Sequence, residues 1–285
     1  MIGVDIGGTN LLIGKVEGST VTQRMHEPII KRGDFHAVAR QVSDAILTFA
    51  PEELDTVGVA VAGGVDAKSG VVLRAQNLDW DNVPLAQVLA EQLQCKVIIE
   101  NDVTAAAWGE FKFGAGKHAD SMFAVWIGTG IGGGVILDGT IWRGPLGTGG
   151  EFGMSISEHD PSNPDRVLES YASRSGLQRI TGIADLDSEA ITIAYNTDEE
   201  ITLAVNAGAR RIGTSIANVI TLLSLDNVVL GGGLIESLGK PYIKQIRDQF
   251  DIDVFPHHCR SCVFTQTALG PDAGLLGVAD IAAHS

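Results

Sequence analysis

Asp5 lies in MIGVDIGGTN, where an apolar strand runs into Gly7-Gly8-Thr9. Glycines carry no Cβ, so main-chain N–H groups there can close on an anion. The Thr9 hydroxyl adds a donor and Asn10 ends the turn. A carboxylate beside such a cradle suits a magnesium–phosphate complex, because Mg²⁺ is held by few carboxylates, by water and by the phosphates themselves. The same residues would also make a plain hairpin turn into LLIGKVEG. A second glycine turn, Gly128-Thr129-Gly130, opens a run that matches G-x-G-x-x-G literally. The strand–turn–strand VILDGTIW follows it where the dinucleotide fingerprint needs a helix, and no Walker-type G-x-x-x-x-G-K-S/T loop occurs. Two glycine hairpins that cradle phosphates account for both stretches; two ordinary hairpins are the plainer alternative.

Other residues could complete a cleft. Asn101-Asp102 ends the apolar stretch KVIIE and begins a helix. Asp102 there is a natural helix cap, and also a carboxylate able to take the proton of a hydroxyl that attacks phosphorus. Asn101 can hold a neighbouring hydroxyl through its amide. Glu151 in GTGGEFGM and Glu169 in VLESYAS could bind sugar hydroxyls by charge-assisted hydrogen bonds, or be solvated surface acids. Gly231-Gly232-Gly233 after the strand VVL admits a flat ligand or phosphate close to backbone, or tight strand–helix packing. His257, Cys259 and Cys262 are the one cluster of metal-ligand types; their C-x-x-C pair suits zinc, but it is a single pair at the edge of a strand.

These residues need a scaffold of strands that deliver loops. Residues 1–30 predict three strands, and 34–50 a helix with Phe35, Val38, Val42, Ala45, Ile46 and Phe49 on one face, Asp34 as cap and Pro51 after its end. TVGVAVAGGV reads as one buried strand, VVLRA as another, QNLDWDNVP as a loop and 85–93 as a short helix. KVIIEND, MFAVWIGTG, NVVLGGGL and CVFTQTA read as further strands. VILDGTIW turns at Asp138-Gly139. Gly144 to Pro164 reads as a long loop; 165–180, 191–223 and 241–250 read as mostly helical. PDAGLLGVADIAA closes the chain as a helix with Pro271 in its first turn. The strand–glycine turn–strand unit near the start recurs in the middle, which predicts two similar lobes and a cleft: an N-terminal lobe over 1–115, on which the closing helix at 271–285 can pack back, and a C-terminal lobe over 116–270.

Composition bounds the function. The 285 residues carry a formal net charge of −15, which disfavours nucleic acid and anionic membranes as partners. The 35 glycines cluster in a few runs and so mark loops. Three uneven cysteines make no disulfide framework, no apolar run approaches a bilayer span, and Met1 leads straight into a strand; together these predict a cytoplasmic protein.

As a set, DIGGTN, VAVAGGVD, AQNLDW, END, IGTGIGGG, GGEFGM, LESYAS, VVLGGG and LGPDAGLLGVA, in this order over the whole chain, resemble the ROK family of repressors, open reading frames and kinases. The resemblance implies an α/β, actin-like (ribonuclease H-like) ATPase fold and an ATP- and Mg²⁺-dependent kinase acting on a hexose or N-acetylhexosamine, as glucokinases and N-acetylmannosamine or N-acetylglucosamine kinases do, usually at the 6-hydroxyl. It implies Asp102 as general base; Asn101, Glu151 and Glu169 as sugar contacts, with Gly63 and Asn77 behind them; and Asp5 on Mg²⁺ through water. It further implies Gly7, Gly8, Thr9, Asn10, Gly128, Thr129 and Gly130 around the phosphates, and Gly231, Gly232 and Gly233 near the nucleoside. A homodimer follows by analogy. Met154 stands where the family carries a sugar-facing histidine, and no cysteine lies between Met154 and Glu169, so the family's structural zinc is expected to be absent and that segment held by packing. Family repressors carry an additional helix-turn-helix domain. A sugar-responsive regulator, a sugar-binding protein without turnover and a polyphosphate-dependent kinase are the competing readings.

Overall fold

A computed structural model describes residues 1–30, 33–50 and 54–285. Pro51 therefore lies outside the described residues. Strand β1 (Ile2–Ile6) is central because its apolar side chains are buried and it is paired on both sides. It runs antiparallel to β2 (Asn10–Glu17), which pairs with β3 (Thr20–Pro28), and parallel to β4 (Thr56–Val61). Helix α1 (Phe35–Phe49) links β3 to β4, and its Asp34 cap accepts from the Ala37 amide. A small antiparallel sheet follows: β5 (Gly64–Asp66), β6 (Val71–Ala75) and β7 (Trp80–Val83). Helix α2 (Leu85–Leu93) leads to β8 (Lys96–Asn101), and α3 (Asp102–Phe113) follows it directly.

The second half repeats the plan. Strand β9 (Met122–Ile127) runs antiparallel to β10 (Ile131–Leu137), which pairs with the short β11 (Thr140–Ile141). Helices α4 (Glu169–Ala172), α5 (Arg174–Thr181), α6 (Ser188–Ala194) and α7 (Glu199–Leu223) come next. Then come β12 (Asn227–Gly231), α8 (Gly233–Asp253), β13 (Val263–Gln266) and α9 (Ala273–Ala283). The sheet orders are β3-β2-β1-β4-β8 and β11-β10-β9-β12-β13. Each half thus opens with an antiparallel hairpin and continues on the other side of its first strand in parallel, so the sequence echo corresponds to a repeated topology.

Helices α3 and α9 pack on each other, α9 against β1 and β4 and α3 against β9 and β10. They lie backbone to backbone: a Cβ at Gly109 would overlap the Ala273 carbonyl, and one at Gly277 the Ala105 carbonyl. Separate apolar cores fill the two halves. One gathers β1, β4, α1 and α2 around Val4, Val42, Val59 and Leu89; the other gathers β9, β12, α7 and α8 around Val125, Ile212, Val228 and Ile246.

Four local expectations differ from the structure. TVGVAVAGGV is two strands in two sheets, because Gly63 at φ +128° turns the chain between them. Trp80, expected in a loop, begins β7 and is buried to 1% exposure. The run Gly132 to Gly134 is strand and not loop, since α3 lies so close that a Cβ at Gly132 would strike Val103 and one at Gly134 would strike Ala107. Helix α8 begins at Gly233, eight residues before Pro241, and bends at Gly239.

Candidate active site

The chemistry-bearing residues converge where the first strands of the two sheets end. In the first turn the Gly7 amide donates to Asn10 O at 2.9 Å, and the Asn10 side chain reaches the Thr9 hydroxyl at 3.0 Å. In the second, the Gly128 amide donates to Gly130 O at 2.9 Å. Among the described residues the amides of Gly8, Thr9, Thr129 and Gly130 make no hydrogen bond. Unbonded N–H groups at glycine turns are the donors an anion requires. The third glycine run packs on the second turn. Gly232, at φ +91°, lies against the Ile127 backbone, and the Gly233 amide sits 3.9 Å from the Cβ position of Gly128. Asn77 packs on Gly8 and so supports the first turn.

Asp5, the penultimate residue of β1, lies beside α9, with one oxygen 3.9 Å from the Cβ position of Gly274. Burial, with the nearby Asp102 carboxylate, pushes its pKa from 3.8 to about 7. Asp102 was expected as the helix cap, but Asn101 caps α3: its Oδ1 accepts from the Thr104 amide at 2.8 Å. The Asn101 amide nitrogen donates to Gly63 O at 2.9 Å and to Asp102 Oδ1 at 3.0 Å. Asp102 Oδ1 also accepts from the Val103 amide at 2.9 Å, so the bonds from Asn101 and Val103 both fall on that one oxygen. Burial raises the Asp102 pKa, opposed by those hydrogen bonds. Glu151 follows the loop 143–150 with an oxygen 3.9 Å from the Cβ position of Gly64. Its pKa is raised by burial, then by Asp102 and Glu169. Glu169 Oε2 accepts from the Ile131 amide at 2.6 Å, just after the second glycine turn. Asp5, Asp102, Glu151 and Glu169 thus form a chain of neighbouring carboxylates, Asp5 beside Asp102, Asp102 beside Glu151 and Glu151 beside Glu169.

Two arginines that the sequence reading did not single out belong here. Arg143, at the end of the β10–β11 hairpin, pairs with Glu100 through Nη2 and through Nε at 2.7 Å. Glu100, 2% exposed, accepts from the Asn101 amide with its other oxygen at 2.9 Å. Arg143 O in turn accepts from the Gly149 amide at 2.9 Å, closing the loop that carries Glu151. Arg174 lies on the second turn. The clue to Arg143 was an arginine between a hairpin and a glycine-rich loop; Arg174 left no signal.

The segment between Met154 and Glu169 is held by backbone pairing within itself and by Arg211. Ile156 bridges to Val167, and the Ser157 amide donates to Arg166 O at 2.8 Å. Arg211 on α7 donates to Ser157 O at 2.7 Å and stacks 4.1 Å over the Tyr171 ring. Met154 sits in the short 3₁₀ turn Phe152–Met154 and is 42% exposed. His257, Cys259 and Cys262 do not assemble a ligand set; Cys262 is buried in the second core. Among the described residues no group of three or more His, Cys, Asp or Glu side chains is placed to hold a metal ion. One or two carboxylates beside unbonded turn amides nevertheless fit Mg²⁺, which takes its remaining ligands from water and phosphate.

The raised Asp5 pKa has a measurable consequence. The folded state holds this proton more tightly than the unfolded chain, so the stability it contributes is complete below pH 3.8 and is lost as pH rises through about 7. Asp5→Asn is therefore expected to raise Tm over the wild type by a few degrees, on the order of 2–4 °C per kcal/mol, more at pH 8 than at pH 6. Scanning calorimetry of the two proteins across that range checks this; a pH-independent difference contradicts it.

Two repeated sheets with parallel and antiparallel strands, each with a glycine turn after its first strand, define an actin-like ATPase fold. The ROK family model matches residues 1–285, and the chain belongs to the ROK family. A glucokinase of Streptomyces coelicolor is 31% identical over 99% of this chain and 96% of its own. An N-acetylmannosamine kinase of Vibrio cholerae is 28% identical over 90% of this chain and 93% of its own. The crystal structure of a ROK family glucokinase from Streptomyces griseus, in complex with glucose and AMPPNP, superposes with a TM-score of 0.83 at 28% identity, covering 100% of this chain and 99% of that one. No helix among the described residues is long and apolar enough to cross a membrane.

Proposed function

We propose that the protein is an ATP- and Mg²⁺-dependent sugar kinase that phosphorylates a hexose or N-acetylhexosamine at its 6-hydroxyl. The observation that carries this reading is Asp102: a half-buried carboxylate held on Oδ1 by Val103 and Asn101, close to the Asp5 and Glu151 carboxylates, with unbonded amides in the glycine turns after β1 and β9. The named activities of the relatives support it.

The lobes 1–115 and 116–270 close on the two substrates. Asp102 accepts the proton of the sugar hydroxyl as its oxygen attacks the terminal phosphorus of ATP in line. Burial makes Asp102 a stronger base than an exposed aspartate. Asn101 orients it and, with Glu151 and Glu169, binds the sugar hydroxyls; Gly63, through its carbonyl, holds Asn101 in place. The amides of Gly8, Thr9, Thr129 and Gly130 meet the phosphate oxygens. Asp5 is the residue that would hold Mg²⁺, which when bound neutralises phosphate charge. Gly231 to Gly233 border the nucleoside. Positioning and charge neutralisation supply most of the acceleration in such a transfer.

An ADP-release assay with ATP and Mg²⁺ over glucose, mannose, fructose, N-acetylglucosamine and N-acetylmannosamine tests the reading. At least one sugar is expected to raise ADP release tenfold or more above the sugar-free rate. Sugar binding by calorimetry with no stimulated release from any of the five would replace the kinase with a non-catalytic sugar-binding protein.

A further inference from the structure

The loop at Gly128 to Gly130 has a cationic neighbour on α5. The Arg174 amide donates to Gly128 O at 2.9 Å and the Ser175 amide to Thr129 O at 3.2 Å, so the start of α5 is docked on the turn. Arg174 Nη2 donates to the Thr129 hydroxyl at 2.5 Å. Its Nε is buried and has no hydrogen-bond partner, and among the described residues no carboxylate forms an ion pair with it. This happens in a chain with 35 acidic and 20 basic residues, where carboxylates are the abundant partners. Glu169, the acid of this turn, is bonded to the Ile131 amide instead.

A guanidinium presents five N–H donors in a planar fork that matches phosphate oxygens. Here one donor is satisfied by the exposed Thr129 hydroxyl, next to the unbonded amides of Thr129 and Gly130. The set forms a continuous row of donors: backbone N–H, hydroxyl, guanidinium. Backbone amides at a hairpin turn carry only partial charge, so a full positive charge at the same place adds most for the most highly charged ligand.

We infer that Arg174 is a ligand of the nucleotide's phosphate chain, acting with the Thr129–Gly130 turn and selecting nucleoside triphosphate over monophosphate. The inference rests on the reading of this cleft as an ATP site, and the two can fail separately. Binding of ATP and of AMP to the full-length protein is measured by titration calorimetry for wild type, Arg174→Gln and Arg174→Lys, with Tm recorded for each. Gln keeps a donor for Thr129 without the charge; Lys keeps the charge without the fork.

Arg174→Gln is expected to weaken ATP binding at least tenfold while AMP and sugar affinities stay within twofold, with Arg174→Lys in between. Higher salt should narrow the difference between wild type and Arg174→Gln. Equal weakening of ATP and AMP would make Arg174 only a prop for the turn, and ATP binding within twofold of wild type would remove it from the site; either result overturns the inference while leaving the ATP site intact. Absence of binding by wild type to either nucleotide overturns the ATP site and the inference together.

Discussion

Asp102→Asn lowers kcat on the best sugar by on the order of 10²–10⁴-fold while leaving the sugar Kd within a few-fold of wild type. The expectation follows from the geometry of one residue. Asparagine fills the same volume, and its side-chain oxygen can still accept from the Val103 amide, as Asp102 Oδ1 does at 2.9 Å. What it cannot do is take a proton. Because Asn101 and not Asp102 caps α3, the substitution leaves the helix start bonded to the Thr104 amide. Because burial raises the Asp102 pKa, removing the charge should not destabilise the protein at neutral pH. The loss of turnover is therefore separable from any loss of fold, and steady-state kinetics with a parallel melting curve reads both. A variant that keeps more than a third of the wild-type kcat would move the general base elsewhere.

The second large effect concerns stability. Arg143→Met is expected to lower the unfolding free energy by about 3 kcal/mol, the cost of leaving one member of a buried ion pair alone. Glu100 is buried to 2% exposure and has Arg143 as its only ion-pair partner among the described residues. The Arg143 side chain is itself 35% exposed, which places the effect at the lower end of the range for buried pairs. The double substitution Glu100→Leu with Arg143→Met should recover part of that loss, since no buried charge then remains in strand β8, whose Lys96 is exposed. Urea unfolding of the two singles and the double measures it; strictly additive losses would show that the pair is not coupled. Turnover should fall as well. Glu100 accepts from the Asn101 amide, and Arg143 O closes the loop that carries Glu151, so this pair ties the acids of both halves to one geometry.

Much of this was legible in the sequence, for identifiable reasons. Strands β1, β4, β8, β9 and β12 are short apolar runs that end at or just before a glycine or an asparagine, and such runs show their function at their ends. The echo of DIGGTN in IGTGIGGG foretold the repeated sheet order. Misreadings fell where long-range packing overrode local preference. Trp80 looked like a loop residue among aspartates and asparagines until the β6 edge gave it a strand to join and a core to enter. Gly132 to Gly134 looked like a loop because glycines usually mark one, whereas here they let α3 approach a strand. In the site, acids and glycines were visible because motifs carry them. Arg174 was not, and Arg143 showed only its place between a hairpin and a glycine-rich loop, since an arginine's role depends on what lies across space from it. Glu100 is 43 residues from its partner in sequence, and Thr129 is 45 residues from Arg174. The division of labour between Asn101 and Asp102 was also hidden, because both types cap helices equally well and only the positions of Thr104 and Val103 decide between them.

The measurement that tests the central claim most directly is ³¹P–¹H correlation NMR of a reaction containing ATP, Mg²⁺ and the best sugar of the panel, run with wild type and with Asp102→Asn. The wild type should produce ADP and a new phosphomonoester coupled to the two protons of the sugar's C6. Asp102→Asn should leave both absent over the same time. ATP converted only to ADP and inorganic phosphate, or a phosphomonoester formed equally by both proteins, would contradict transfer to a sugar hydroxyl with Asp102 as its base.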